Sequence, residues 1–238
     1  MNESMNTPSI WAIIPAAGIG QRMQSDIPKQ YLPLAGSTVI ENTIHRLLVA
    51  SQVKGLSISL RNDDQYWNSV NIESSKPVIR AEGGAERCDS VLNAMQALAE
   101  YDDFSIDNDW VLVHDAVRPC VRLDDLDYLI EQATSNESGG LLALPVRDTM
   151  KRANASQSVQ KTVDREGLWH ALTPQLFPYR ALHEALIKAK EEGVNVTDES
   201  SAMEHAGYAP KLVEGYEDNI KITRPNDLRL AELFIADQ

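Results

Sequence analysis

The stretch Ile10-Trp-Ala-Ile-Ile-Pro-Ala-Ala-Gly-Ile-Gly-Gln-Arg-Met23 organises the rest of the chain. Its first five residues form an apolar run of strand length. Pro15 removes a backbone donor where the run ends, so the pattern predicts a buried strand that leads into a loop. Small residues build that loop, and they let backbone N–H groups approach a ligand closely enough to surround phosphate oxygens. These residues are Ala16, Ala17, Gly18 and Gly20.

Two cations follow the loop, Arg22 and, within Pro28-Lys-Gln-Tyr31, Lys29. An amide-lined loop with two cations straight after the first strand predicts a nucleotide-phosphate site. Gly-x-Gly alone would instead favour an ordinary strand–turn–helix junction with surface cations. Two better-known glycine motifs are excluded, because Met23 occupies the third glycine position of a dinucleotide fingerprint and the Gly-Lys-Ser/Thr of a P-loop is absent.

Length and composition bound the possibilities. The 238 residues, 43% of them hydrophobic, are enough for one large α/β domain over residues 1–238. The net charge of -13 disfavours a broad nucleic-acid or anionic-membrane surface, so local cations and a metal must hold an anionic substrate. Cys88 and Cys120 lack the spacing of a disulfide framework or a zinc site. Residues 1–9 are predicted to be a flexible tail without an apolar targeting core, and a cytoplasmic protein is expected.

Strand and helix patterns alternate along the chain. A capping box at Thr38-Val-Ile-Glu41 predicts one helix, and Arg87 and Ser90 fall in the first turn of another. This rhythm predicts a doubly wound, mostly parallel Rossmann-like sheet with its ligands at the carboxyl ends of the strands. Further strands are predicted at 56–60, 77–81, 110–113, 141–145 and 211–213, and further helices at 179–190, from Thr197-Asp198 and after Pro225.

Pro-Ala-Ala-Gly-x-Gly-x-Arg-Met followed by Pro-Lys-Gln-Tyr resembles the cytidylyltransferases that act on 2-C-methyl-D-erythritol 4-phosphate in non-mevalonate isoprenoid synthesis. The resemblance extends from about Ile10 to the C-terminal end. It implies a nucleotidyltransferase that transfers a cytidylyl group from CTP to methylerythritol phosphate and releases pyrophosphate, with Mg²⁺ or another divalent cation. The other motifs that carry it are Gly83-Gly-x-x-Arg-x-x-Ser90, His114-Asp-Ala-Val-Arg-Pro119, Arg147-Asp-Thr-Met-Lys-Arg152, Thr162-Val-Asp-Arg165 and Asn219-Ile-Lys-Ile-Thr223.

For the nucleotide half, the resemblance implies Arg22 and Lys29 as catalytic residues and Asp115 as the metal ligand. Asp115 could equally form an ion pair with Arg118 or cap a helix, and His114 is expected to be neutral, half-buried and structural. Some relatives carry Asp where this chain has Ala85, so Ala85 is given no role. The residues implied to bind the nucleotide are Pro15, Ala16, Ala17, Gly18, Gly20, Gly83, Gly84, Arg87, Ser90 and Asp115.

For the acceptor half, the resemblance implies binding of methylerythritol phosphate by a second set of residues. Most Lys and Arg side chains are solvated surface charges, and a helix N-cap explains Thr197-Asp198 equally well. Asp218 is a weak candidate for a second carboxylate beside the metal. The implied acceptor residues are Arg118, Thr149, Arg165, Thr173, Thr197 and Lys221.

The segment from about 146 to 172 has little core periodicity and is too long for an ordinary connection. In the family it resembles, this region is a β-arm exchanged with a second subunit, which implies a homodimer with Arg165 reaching across. Polar residues 154–160 would form its tip.

Three other functions stay open on the residues alone. The nearest is a cytidylyltransferase for another polyol phosphate such as ribitol 5-phosphate, against which the Arg-Asp-Thr-Met-Lys motif argues. The second is a sugar-phosphate or molybdopterin-type nucleotidyltransferase, which the His-Asp-Ala-Val-Arg-Pro and Asn-Ile-Lys motifs disfavour. The third is a non-catalytic CTP-binding regulator, which would release no pyrophosphate.

Overall fold

A computed structural model describes residues 8–18 and 27–238 of the chain. The predicted tail lies outside the described residues over 1–7, and Gly20 and Arg22 lie outside them too. The strands are β1 (Ile10–Pro15), β2 (Pro33–Leu34), β3 (Ser37–Thr38), β4 (Val53–Leu60), β5 (Val78–Glu82), β6 (Trp110–Val113), β7 (Gly140–Pro145), β8 (Met150–Ala153), β9 (Val159–Val163), β10 (Trp169–Pro178) and β11 (Lys211–Glu214). The α-helices are α1 (Val39–Val49), α2 (Arg87–Ala99), α3 (Leu123–Thr134), α4 (Tyr179–Glu191), α5 (Glu199–Ala206) and α6 (Pro225–Ala236).

Seven of these strands form one sheet in the order β11-β7-β10-β6-β1-β4-β5. β1 is parallel to both neighbours, and β4–β5 and β7–β11 are also parallel pairs. β10 is antiparallel to both β6 and β7, so within the described chain it alone runs against the rest of this sheet. The predicted mostly parallel α/β architecture is confirmed.

The apolar run of β1 is explained by helices on both faces of the sheet. Alternate side chains of a strand point to opposite faces, and a central parallel strand buries both. Ile10, Ala12 and Ile14 accordingly join the core that contains the apolar residues of α1 and α3. Trp11 and Ile13 join the second core, with those of α2 and α4. β1 is therefore held rigidly, and its carboxyl end gives the site a fixed base.

Besides the two-residue strands β2 and β3, sequence reasoning missed helix α3 and strand β10. α3 buries Leu126, Leu129 and Ile130, a helical spacing that the sequence contains. β10 carries the polar residues Thr173 and Gln175 in its buried part and changes register on β7 between Ala171 and Gln175, so no strand periodicity marks it. Because β10 begins at Trp169, the segment available for an arm ends before residue 169 rather than at about 172.

The remainder of that segment forms a separate antiparallel hairpin of β8 and β9. Its side chains are exposed on both faces, apart from the half-buried Met150 and Val163 at the base. Asn154 makes the turn, because its Oδ1 accepts from the backbone N–H groups of Ser156 and Ser158, both at 3.0 Å. The tip is therefore shorter than predicted, since Val159 and Gln160 already belong to β9.

None of the helices in the described ranges combines the length and apolar composition needed to cross a bilayer.

Candidate active site

A cavity of about 320 Å³ opens at the carboxyl ends of β1 and β6, next to the N-terminus of α2. Parallel strands bring their carboxyl ends to one edge of the sheet, which is where sequence reasoning placed the motifs. Most of the predicted nucleotide-binding residues of the described chain meet there. The lining residues are Pro15, Ala16, Ala17, Gly18, Lys29, Gln30, Gly84, Ala85, Glu86, Arg87, Ser90, Asp115, Ala116, Val117 and Lys221.

The loop after β1 is fixed by its neighbours. The Ala16 N–H donates to the Ser59 carbonyl at 2.9 Å. The side chain of Gln30, which is buried, donates from Nε2 to the carbonyls of Ala16 (3.0 Å) and Gly18 (3.1 Å). Gln30 was given no role in the sequence analysis, although it lies inside the quoted Pro-Lys-Gln-Tyr motif. It couples the loop to the short 3-10 turn that carries Lys29.

Lys29 lines the same cavity, and its Nζ donates to the Ile222 carbonyl at 3.1 Å. Ile222 follows Lys221, so this bond joins the segments that carry the two lysines, and both lysines line the same cavity.

The two glycines after β5 allow close packing. A Cβ at Gly83 would overlap the Cβ of Ala17, and one at Gly84 would overlap the Cβ of Asp89. Gly83 therefore lets the loop after β5 pack closely against the loop after β1. Ser90 accepts the Gly84 N–H at Oγ (3.0 Å) and donates to the Glu86 carbonyl (3.2 Å), which fixes the start of α2.

Asp115, at the cavity floor, is surrounded by three cations. Its Oδ2 lies 2.9 Å from Lys221 Nζ and 3.4 Å from Arg118 Nε, and its Oδ1 lies 3.5 Å from Arg87 Nη2. Burial by itself raises the pKa of Asp115, but the charges of Arg87, Lys221 and Arg118 outweigh it and hold that pKa well below the ordinary value. Asp115 is thus a permanently charged carboxylate in a site of net positive charge.

His114 is structural, as expected, and fully rather than half buried. Its Nε2 lies 3.0 Å from the Arg118 carbonyl, which can only accept, so Nε2 carries the proton. Nδ1 then accepts from the Thr173 hydroxyl (3.0 Å), whose oxygen accepts from the Asp115 N–H (3.0 Å). Burial lowers the pKa of His114 to about 4, which keeps the ring neutral. The Thr173 hydroxyl thus holds the backbone N–H of Asp115 in place.

The described residues implied for the acceptor are divided. Lys221 lines the cavity, and Arg118 adjoins it through Asp115 and donates from Nη1 to the Asn219 carbonyl at 2.7 Å. Thr149 and Arg165 are exposed at the base of the hairpin and are not among the described cavity-lining residues. Thr197 is exposed and precedes Asp198, which caps α5, so the N-cap interpretation of Thr197-Asp198 describes the local structure.

Asp218 belongs to another cluster. Its Oδ2 accepts from Arg122 Nε at 2.7 Å and from Gln238 Nε2 at 3.0 Å, and it lines a separate cavity beside Arg122 and Tyr216. A second carboxylate next to Asp115 is not supported by this placement.

The oxygen ligands available at Asp115 decide whether a divalent cation fits there. Within the described ranges, no three His, Cys, Asp or Glu side chains are grouped as a metal cage. Mg²⁺ does not require one, because it typically takes one or two carboxylates and obtains its other ligands from phosphate and water. The ionised Asp115, which lines the cavity, therefore fits a cation that arrives with a nucleotide.

The chain is similar to known proteins along almost its whole length. The family model described as IspD, 2-C-methyl-D-erythritol 4-phosphate cytidylyltransferase, matches residues 10–237. The enzyme of that name from Vibrio vulnificus (strain YJ016) is 50% identical over 228 residues, which cover 96% of this chain and 95% of the relative. The one from Pseudomonas aeruginosa (strain UCBPP-PA14) is 52% identical over 228 residues, 95% of this chain and 97% of its own.

A crystal structure of Francisella tularensis 2-C-methyl-D-erythritol 4-phosphate cytidylyltransferase (IspD) is similar, with a TM-score of 0.81 at 36% identity, and the match covers 95% of this chain and 99% of that one. The family model spans almost the whole sequence, and relatives that share about half of their residues with this chain match along nearly their full lengths. This chain therefore belongs to the 2-C-methyl-D-erythritol 4-phosphate cytidylyltransferase family.

Proposed function

We propose that this chain transfers the cytidylyl group of CTP to 2-C-methyl-D-erythritol 4-phosphate, giving 4-CDP-2-C-methyl-D-erythritol and pyrophosphate, and that the cavity at Asp115 is where this happens. The observation that carries the proposal is the convergence of Lys29, Arg87, Lys221 and Asp115, from four separate motifs, on one cavity. Such a cluster of cations around one carboxylate suits a polyphosphate in an otherwise acidic protein.

The acceptor needs little activation. A phosphate monoester has its second pKa at about 6, so its oxygen is largely ionised at neutral pH. It attacks the α-phosphorus of CTP directly, the bond from that phosphorus to the bridging oxygen of pyrophosphate breaks, and no covalent enzyme intermediate forms. The buried His114 is not required, because no proton has to be removed from the nucleophile.

The barrier is mainly electrostatic, because two anions must be brought together while charge develops on the α-phosphate and the leaving pyrophosphate. Lys29 is assigned to this charge, together with the loop amides after β1. Arg22 is assigned with it, although it lies outside the described residues. A divalent cation held by Asp115 would supply additional charge neutralisation on the phosphates.

The acceptor is assigned to Lys221 and Arg118 of one subunit and to Thr149 and Arg165 of a second. Thr149 and Arg165 lie at the base of the exposed hairpin, and an exchanged hairpin would bring them to the partner's cavity. The exposure of β8 and β9 on both faces supports a homodimer, since such a two-stranded unit is marginal in water. The two unpaired cysteines support a reducing cytoplasm.

The test is pyrophosphate release with CTP and Mg²⁺, comparing methylerythritol 4-phosphate with ribitol 5-phosphate and then CTP with ATP, GTP and UTP. Release that requires CTP and methylerythritol phosphate is expected. Release with ribitol phosphate alone would overturn the acceptor assignment, and CTP binding without release would indicate a regulator. A monomeric mass by light scattering at micromolar concentration would contradict the assignment of Arg165 to the neighbouring subunit.

A further inference from the structure

Glu199 is a buried carboxylate that the reaction described above does not use. It is the first residue of α5 and is only 1% exposed. Both of its oxygens accept from one guanidinium: Oε1 lies 2.5 Å from Arg87 Nη1, and Oε2 lies 3.1 Å from Arg87 Nη2. A bidentate pair of this kind fixes the plane of the guanidinium as well as its position.

Arg87 has a second carboxylate within reach. Its Nη2 is 3.5 Å from Asp115 Oδ1, and Arg87 lines the nucleotide cavity. Glu199 is not among the described residues that line that cavity, so its effect on a ligand there has to pass through Arg87. Burial lowers the pKa of Arg87, but the charge of Glu199 more than offsets this and raises it above the ordinary value.

The backbone that carries Glu199 is anchored by its neighbours. The Ser200 N–H donates to Gln175 Oε1 on β10 at 2.8 Å, and Gln175 Nε2 donates to Asp198 Oδ2 at 2.9 Å. Asp198 caps α5 through the Ser201 N–H at 3.0 Å. The start of α5 is therefore tied to the central sheet, and Glu199 holds Arg87 from a rigid position.

We infer that Glu199 is a positioning residue for nucleotide binding: it holds the Arg87 guanidinium at the cavity wall and keeps it from closing onto Asp115. Without the charge of Glu199, the half-buried Arg87 keeps Asp115 as a carboxylate within ion-pair distance, at 3.5 Å. A direct Arg87–Asp115 pair would remove from the cavity both a cation for the phosphates and a carboxylate for the divalent ion. This role rests on the proposed nucleotide site and adds a residue to it.

The experiment is a double-mutant cycle on CTP affinity, measured by calorimetry with Glu199→Gln, Arg87→Met and the double variant. Glu199→Gln keeps the shape and removes the charge, and should weaken CTP binding about tenfold. In the Arg87→Met background the same change should alter the affinity less than about twofold, because the residue through which it acts is gone. Equal losses in both backgrounds, or no loss in either, would overturn the inference.

Lys190→Met is the matched control, because Lys190 Nζ pairs with Asp89 Oδ1 at 2.6 Å and so links α2 to another helix outside the cavity. Its CTP affinity should be unchanged, and a tenfold loss there would mean that any ion pair of α2 gives the effect. If Glu199→Gln does not fold, the cycle is run with Glu199→Asp, which withdraws the carboxylate by one methylene, and additivity again overturns the inference. Wild-type protein that fails to bind CTP would overturn the proposed function instead.

Discussion

The cavity wall and the β8–β9 hairpin both carry charged motif residues, but they hold them in opposite ways. At the cavity wall and directly behind it, Asp115, Arg118 and Glu199 are each less than a tenth exposed. Each has a partner from a distant part of the chain. In the hairpin, Lys151 and Arg152 are exposed, and Lys151 Nζ donates to the Thr162 hydroxyl of the neighbouring strand at 2.7 Å. The cavity is thus preorganised within a single chain, whereas the hairpin would reach a cavity only in the homodimer proposed above.

The largest expected effect is on turnover. Lys29→Ala should lower kcat by about 10²–10³, because it removes a preorganised positive charge at the developing phosphate charge. The unfolding free energy should change far less, since Lys29 is a partly buried side chain at the edge of the cavity and its Nζ bonds to a backbone carbonyl, that of Ile222. Steady-state kinetics beside urea unfolding separates the two. Unchanged turnover would mean that the cavity wall is preorganised for something other than this chemistry.

The second effect is a loss of stability at acidic pH. It should come from buried titratable side chains and not from the hairpin. The pKa of His114 is about 4 in the folded protein against an ordinary 6.5, so the unfolded chain takes up this proton first. Stability should therefore fall as the pH drops from about 6.5 to about 4, by on the order of 3 kcal/mol for this group.

Asp125 acts in the opposite direction. Burial raises its pKa to about 6 from an ordinary 3.8, so the folded form binds this proton more tightly and stability from it is lost as the pH rises through 6. Asp125→Asn should remove that opposing contribution and make the acid loss steeper. Urea unfolding between pH 4 and 7.5 measures both profiles. Superimposable profiles would contradict the assignment for Asp125.

The third effect concerns loop packing. Gly83→Ala would force its Cβ into Ala17, so we expect a loss of about 1–3 kcal/mol and a raised KM for CTP. Gly167→Ala, beside the hairpin, is the control: no atom lies within 4 Å, but its φ of +72° makes any side chain strained, at a cost of about 1 kcal/mol. Both variants should lose stability and only Gly83→Ala should lose CTP affinity. If the two variants have equal KM values for CTP, Gly83 does not support the nucleotide site.

The smallest effect is at the hairpin. Arg165→Ala should raise the KM for methylerythritol phosphate about tenfold, the value of a lost charge-assisted hydrogen bond, while CTP affinity and stability stay unchanged. Arg152 lies in β8 and is exposed like Arg165. Arg152→Ala should change neither the KM for methylerythritol phosphate nor the CTP affinity. A weaker CTP affinity in Arg165→Ala would remove the distinction between the two regions.

The sequence was sufficient for much of the fold because local patterns dictate it. The apolar run of β1, the Thr38–Glu41 capping box and the helix opening at Arg87 all appear as predicted. β10 could not be predicted in the same way. Its buried Thr173 and Gln175 are polar, and what makes them tolerable is hydrogen bonding to Asp115, His114 and the start of α5, none of which is close in sequence.

By itself, then, the sequence determined the parallel α/β architecture, the family and most of the residue types that the cavity requires, because hydrophobic period and motif spacing are local properties of the chain. The tertiary structure alone decided how the charges are shared. Arg87 lies 112 positions from Glu199, and Lys29 lies 193 positions from the carbonyl that accepts its hydrogen bond. Burial and long-range pairing set the position and pKa of a charged side chain, and neither is encoded in the residues beside it.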